Sequence, residues 1–210
     1  MRVIVPYTDS DPKSRLASLL SASERRSFAR AMLRDVVDAV RDAGHDPTVL
    51  TTGSLSAADV PTVVDDRPLT PAVNAALGEF FDADGADELA VVMADLALAT
   101  PGAVRRLANA GGDVVVAPGR GGGTNALVVR DPAFRVDYHG ASYLDHRRIA
   151  ESVGASVGVV DSMRLSTDVD EPADLAEVLL HGRGESRAWL VDAGFELDAS
   201  DGRVGVARDR

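Results

Sequence analysis

The sequence predicts one α/β domain over residues 1–210, with a mainly parallel sheet and helices on both faces. Strand-like and helix-like segments alternate along the whole chain. The most apolar run, Leu89-Ala90-Val91-Val92-Met93, is continuous, as expected of a central strand covered on both sides. At 210 residues the chain can bury one substantial core, and it shows no internal repeat or long linker.

Val3-Ile4-Val5 opens the sheet as a buried strand. A long helix is expected from about Ser23 to Ala43. Phe28, Met32, Leu33, Val36, Val37 and Val40 recur there at three- and four-residue spacing, Ser21 or Ser23 can cap its start, and Gly44 ends it. Pro47–Thr51 and Pro61–Val64 read as short strands. Thr70 can cap a helix with Pro71 at its first position, running to about Phe81. After the strand at Leu89–Met93, Thr100-Pro101 opens a helix to about Ala110, and Asp113–Ala117 is the next strand. The glycine-rich segment from Pro118 to Gly123 leads into a strand at Asn125–Val129. A helix follows from about Ser142 to Val153, then a strand at Ser156–Val160. Pro172 opens a helix to about Leu180, another runs from about Glu185 to Ala193, and the acidic tail reads as a small edge structure.

Composition narrows the function. Lysine and arginine total 22 against 33 acidic residues, giving a net charge of −11. Such a surface argues against non-specific nucleic-acid binding, which needs a basic face. Arginine over lysine, high acidity and 4% aromatics fit a protein of a high-salt cytoplasm, the compartment expected here. The absence of cysteine excludes disulfides, thiolate nucleophiles and zinc–thiolate sites. The opening residues lack a signal-peptide pattern and no run approaches a membrane span, so a soluble protein without membrane attachment is expected.

Against that background one lysine stands out. Lys13 is the only one in the chain, and it follows the first strand. In open α/β sheets that loop lies at the carboxyl edge, where ligands bind. An ammonium there, with Arg15 beside it, suits polyphosphate oxygens and a leaving pyrophosphate. Walker-loop glycines are missing, so this is not a P-loop. Asp95 ends the most apolar strand, where a carboxylate can hold Mg²⁺. Asp168 and Asp170 alternate just before Pro172 and can supply further metal oxygens, although acidic residues at a helix start also simply complement its dipole, and Asp174 fits that simpler role. The segment Pro118-Gly119-Arg120-Gly121-Gly122-Gly123-Thr124-Asn125 offers close backbone approach to an anion and the Thr124 hydroxyl, or else a plain strand connection. Ser142 is expected to cap a helix whose N-terminus binds an anion, with His146 four residues on as a surface histidine or a base. Asp65-Asp66 and Asn74, which follow or lie near the third strand, are candidates to read a purine base or ribose, although each taken alone fits a structural role better.

Taken in order, Lys13-Ser14-Arg15-Leu16, Glu24-Arg25, Asn74-Ala75-Ala76-Leu77, Asp95-Leu96, Ala117-Pro118 through Leu127, Ser142-Tyr143 with His146, and Asp168-Val169-Asp170 with Pro172 and Asp174-Leu175 resemble the 2-phospho-L-lactate guanylyltransferase family. That family is related to molybdenum-cofactor guanylyltransferases and serves coenzyme F-420 biosynthesis. The resemblance covers about residues 2–180. It implies a Rossmann-like (GT-A-like) nucleotidyltransferase fold, GTP and a small phosphorylated carboxylic acid as substrates, and a homodimer. It also implies Mg²⁺ on Asp95, Asp168 and Asp170, pyrophosphate stabilisation by Lys13 and Arg15, and an acceptor site at Thr124, Asn125, Ser142 and His146. Three positions depart from the family pattern. Ala97 replaces a proline, His139 replaces a glycine, and Tyr7-Thr8 stands where a further lysine is common. Phosphoenolpyruvate, 3-phosphoglycerate or a sugar phosphate are alternative acceptors, and a nucleotide-binding module without chemistry is a different class of answer.

Overall fold

Runs of β-branched residues build one seven-stranded sheet in the computed structural model, which describes residues 1–55, 59–83, 87–200, 202 and 204–208. Its strands are β1 (Arg2–Tyr7), β2 (Asp46–Thr51), β3 (Thr62–Val64), β4 (Leu89–Val92), β5 (Val114–Pro118), β6 (Thr124–Val129) and β7 (Val157–Val159). Their spatial order is β3-β2-β1-β4-β6-β5-β7. All neighbours pair in parallel except β6, which runs antiparallel to both β4 and β5. The glycine-rich segment explains this exception. A loop this short cannot carry a crossover, so it makes a hairpin.

Among the described residues, seven helices accompany the sheet: α1 (Ala22–Asp42), α2 (Leu69–Asp82), α3 (Pro101–Ala108), α4 (Ser142–Ser152), α5 (Met163–Ser166), α6 (Pro172–His181) and α7 (Glu185–Asp192). Strand alternation divides the core into two layers. Val3, Val5, Val115 and Val128 pack with Phe28, Met32, Leu165, Leu175 and Leu190 on one face. Ile4, Val114, Val116 and Leu127 pack with Val73, Leu77 and Ala150 on the other. Helices therefore lie on both faces, as the sequence predicts. The tail forms a separate hairpin, β8 (Phe195–Asp198) with β9 (Gly205–Arg208). No helix among the described residues is long and apolar enough to cross a membrane.

Local chemistry sets most helix ends. Ser21 caps α1 in a reciprocal capping box with Glu24, and Gly44 follows the helix at φ 88°. Thr100 accepts from the Ala103 N–H, with Pro101 at the first helical position. Two expected caps are not made. The cap of α2 is Pro68, and the Thr70 hydroxyl instead accepts from the Tyr138 N–H at 2.8 Å. The cap of α4 is Ala141, and the Ser142 hydroxyl is drawn to β6. In both cases a segment passing the helix start, the loop at Tyr138 or the first residue of β6, offers an amide that needs an acceptor, and that outweighs a cap water can replace.

Candidate active site

The order of the sheet brings the candidate residues to one edge. The order in which strands are added reverses about β1: β2 lies on one side of it and β4 on the other, which makes the carboxyl end of β1 and β4 a topological switch point. Being antiparallel, β6 begins where β4 ends, so Thr124 and Asn125 arrive beside Met93, whose N–H donates to the Asn125 carbonyl at 3.0 Å. Loops from β1, β4 and β6 and the segment before α6 thus meet here.

Lys13 precedes a short 3-10 turn, Ser14–Leu16, in a left-handed backbone conformation, φ 55° and ψ 43°. That conformation is strained for a residue with a side chain and clusters at functional sites. It aims the ammonium inward. Lys13 Nζ donates to Asp95 Oδ2 at 2.7 Å and to Asp170 Oδ1 at 2.6 Å. Burial works against the Lys13 charge, yet the two carboxylates outweigh it and hold its pKa above the ordinary lysine value. Asp95 Oδ1 is buried with no hydrogen-bond partner among the described residues. Asp168 lies alongside, its pKa pushed up by burial and by Asp95 and Asp170, against the pull of the Asn125 hydrogen bond. Arg15 is exposed, 3.8 Å from Glu171.

Asn125 holds this arrangement. Its Nδ2 donates to the Leu165 carbonyl at 3.0 Å and to Asp168 Oδ1 at 3.1 Å. Gly119 makes room for it, since a Cβ there would lie 2.5 Å from Asn125 Oδ1. Asp174 serves the start of α6, as the simpler reading of it expects. Its Oδ2 accepts from the Asp170 N–H at 3.0 Å and the Glu171 N–H at 2.8 Å. These bonds fix the backbone that carries Asp170.

Two cavities flank the carboxylates. One, of about 260 Å³, lies between the β1 and β4 loops, with Tyr7, Thr8, Lys13, Met93 and Asp95 in its walls. The other, of about 470 Å³, lies over the glycine loop, with Gly121, Gly123, Arg120, Gly140 and Asp168. Arg15 and Asp170 line both.

Not every candidate joins them. Both polar ends of Asn74 are taken by the Val136 backbone, at 2.9 and 2.8 Å, so its amide clamps a loop and does not read a base. Asp66 is exposed after β3 and lines neither cavity. Thr124, Ser142 and His146 are buried behind the glycine loop and bonded to one another's elements. His146 is fully buried, and burial lowers its pKa to about 4, so at neutral pH it is an uncharged core residue. Arg120 is the residue the sequence reading passed over. Its guanidinium meets Asp174 at 2.9 Å at the cavity wall. Its signal was a lone arginine within a glycine loop.

A strand-edge carboxylate and a lysine from the first loop meet between two abutting cavities, on a fold shared with solved nucleotidyltransferases. A nucleotidyl transferase from Methanothermobacter thermautotroptrophicus superposes with a TM-score of 0.60 at 19% identity, covering 86% of this chain and 96% of that one. The chain belongs to the family described as guanylyl transferase CofC like, whose model matches residues 1–209. It is similar to the 2-phospho-L-lactate guanylyltransferase of Halorubrum lacusprofundi, at 59% identity over 100% of both chains. It is also 60% identical to the enzyme of that name from Halomicrobium mukohataei, over 99% of this chain and 100% of the relative.

Proposed function

We propose that the chain transfers GMP from GTP to 2-phospho-L-lactate and releases pyrophosphate, the reaction by which its relatives are named. The observation that carries this reading is the pair of cavities meeting at Asp170 and Arg15 beside Lys13 and Asp95. An acceptor phosphate oxygen in one can face the α-phosphorus of a nucleotide in the other, in line with departing pyrophosphate. The acceptor is already an anion, so no general base is needed. Lys13 and Arg15 stand where charge develops on the leaving group. Arg120 lines the acceptor cavity with Gly119, Gly121 and Gly123, and Thr124 and Ser142 lie behind them.

The residues fit Mg²⁺. Asp95, Asp168 and Asp170 are hard oxygen donors, and the unpartnered, buried Asp95 Oδ1 is the most direct sign. Among the described residues no three acidic or histidine side chains converge to hold a metal by themselves. Mg²⁺ does not require that, since it commonly uses one or two carboxylates together with substrate phosphates. Asp95 and Asp170 are the proposed ligands, with Asp168 beside them. When bound, the ion would neutralise phosphate charge and orient the two substrates. The chain's own part is to hold these carboxylates through Asn125 and Asp174 and to keep Lys13 aimed at them.

The assembly proposed is a cytoplasmic homodimer, which light scattering in molar KCl would test. Pyrophosphate release from GTP, ATP and CTP against 2-phospho-L-lactate, phosphoenolpyruvate, 3-phosphoglycerate and a sugar phosphate tests the reaction. GTP with 2-phospho-L-lactate should be the fastest pair. Faster turnover with a sugar phosphate, or none with GTP, refutes the assignment.

A further inference from the structure

Arg120 lines the acceptor cavity, yet its guanidinium is engaged at one nitrogen only. Its backbone is well fixed. The Arg120 N–H donates to the Ser166 carbonyl at 3.0 Å. The turn around it is closed by the Gly119 N–H on the Gly123 carbonyl at 2.9 Å and the Gly122 N–H on the Gly119 carbonyl at 3.1 Å. In the side chain, Nη2 donates to Asp174 Oδ1 at 2.9 Å, while Nε and Nη1 have no partner among the described residues. Arg25, Arg130 and Arg208, which tie the fold together, engage all their guanidinium nitrogens with the protein. Whichever Nη2 hydrogen Asp174 takes, the other still forms a two-donor edge with Nε or Nη1, the geometry that matches a carboxylate. The neighbouring Gly121 and Gly123 have no side chain to cover that edge, and the Arg120 side chain is 47% exposed.

Asp174 fixes where the guanidinium lies. Its other oxygen accepts from the Asp170 and Glu171 N–H groups at 3.0 and 2.8 Å, so Arg120 is held one carboxylate away from the backbone of Asp170. Arg15 and Asp170 line both cavities, which places the acceptor phosphate at their end. 2-Phospho-L-lactate has a second anion, a carboxylate on the same carbon that bears the phosphate. Among the described residues two cations line this cavity, Arg15 and Arg120. Arg15 is assigned to the leaving pyrophosphate, so Arg120 remains for the carboxylate.

We propose that Arg120 is a specificity-determining residue whose unused edge takes the acceptor carboxylate, and that it selects acids bearing phosphate and carboxylate on one carbon. The proposal rests on the acceptor assignment made above. A phosphate ester without the carboxylate leaves that edge without its anion and gains nothing from it.

Isopropyl phosphate, in which a methyl group replaces the carboxylate of 2-phospho-L-lactate, separates this role from a merely structural one. Pyrophosphate release at saturating GTP should give the wild type a kcat/KM about thirtyfold or more higher for 2-phospho-L-lactate than for isopropyl phosphate. Arg120→Gln should cut that ratio about tenfold or more, through a raised KM for 2-phospho-L-lactate. Its kcat/KM for isopropyl phosphate should change less than about threefold, and its KM for GTP should not change. Arg120→Lys keeps the charge without the fork and should cut the ratio by about threefold or more. The Ki of isopropyl phosphate against 2-phospho-L-lactate gives the same comparison if its turnover is too slow to follow. If Arg120 only braces Asp174, both acceptors lose activity together and the ratio holds, which overturns the proposal. A wild type without preference for 2-phospho-L-lactate overturns it as well. No wild-type turnover of GTP with 2-phospho-L-lactate defeats the functional reading instead. Should Arg120→Gln not fold, Arg120→Lys decides, since a ratio equal to that of the wild type contradicts the carboxylate contact.

Discussion

Lowering the pH should destabilise this protein through His146 specifically. Burial lowers the His146 pKa from 6.5 to about 4, against the weaker opposing effects of Asp137 and Asp145 and with that of His139. In the unfolded chain the same imidazole takes up a proton near its ordinary value. The stabilisation from keeping it neutral is complete above pH 6.5 and is lost as pH falls towards 4. The full difference amounts to about 3 kcal/mol, and most of it should be gone by about pH 4.5. Other groups titrate in the same range with the opposite sign. Asp35 and Asp168 have raised pKa values in the fold, so their cost is relieved as they protonate. Urea unfolding of wild type and His146→Gln, each in molar KCl at about pH 8 and about pH 4.5, removes these shared contributions. The wild type should lose about 2–3 kcal/mol more than the variant between the two conditions. Parallel pH dependences would show that His146 is charged or solvated in the fold and would refute the reasoning.

Asp95→Asn should lower kcat by a barrier of about 3 kcal/mol or more while leaving the melting temperature within a few degrees, checked by pyrophosphate release at saturating Mg²⁺. Lys13→Met leaves Asp95 and Asp170 facing each other without their ammonium, so stability in EDTA should fall by about 2 kcal/mol, measured by urea unfolding, and Mg²⁺ should restore part of it. Gly119→Ala places a methyl group against the Asn125 amide and should reduce turnover about tenfold by releasing Asp168, with a smaller loss of stability.

Much of the fold was legible because periodicity and capping are local. Ser21, Thr100 and Pro172 mark helix starts where they are found, and the apolar run at Leu89 is the fully buried β4. The antiparallel β6 was hidden only by leaving the consequence of its short glycine loop undrawn. The failures at Thr70 and Ser142 have another origin. Each hydroxyl answers an amide distant in sequence, Tyr138 and Thr124 respectively, and no local pattern announces such a partner. The same holds for Asn74, whose partner Val136 is 62 residues away. Lys13 shows the limit from the other side. Its uniqueness and position marked it for the site, but its partners, Asp95 and Asp170, come together only through the sheet order.

That pairing bears on how an acidic protein handles two anionic substrates. Among the described residues, three cations line the two cavities, Lys13, Arg15 and Arg120, against five carboxylates, Asp95, Asp168, Asp170, Glu171 and Asp174. The site therefore stays negative even with every cation in place. Each cation is also already within ion-pair distance of one of those carboxylates: Lys13 with Asp95 and Asp170, Arg15 with Glu171 and Arg120 with Asp174. Salt does not resolve this, because screening acts on exposed charges and Lys13 and Asp95 are largely buried. A triphosphate entering such a site must bring positive charge with it. The proposed Mg²⁺ meets that need, and the ammonium between Asp95 and Asp170 then has phosphate oxygens to move to. On this reasoning the lone lysine and the carboxylates form one exchangeable charge system, in which the chain keeps a cation on its carboxylates whether or not the nucleotide is there.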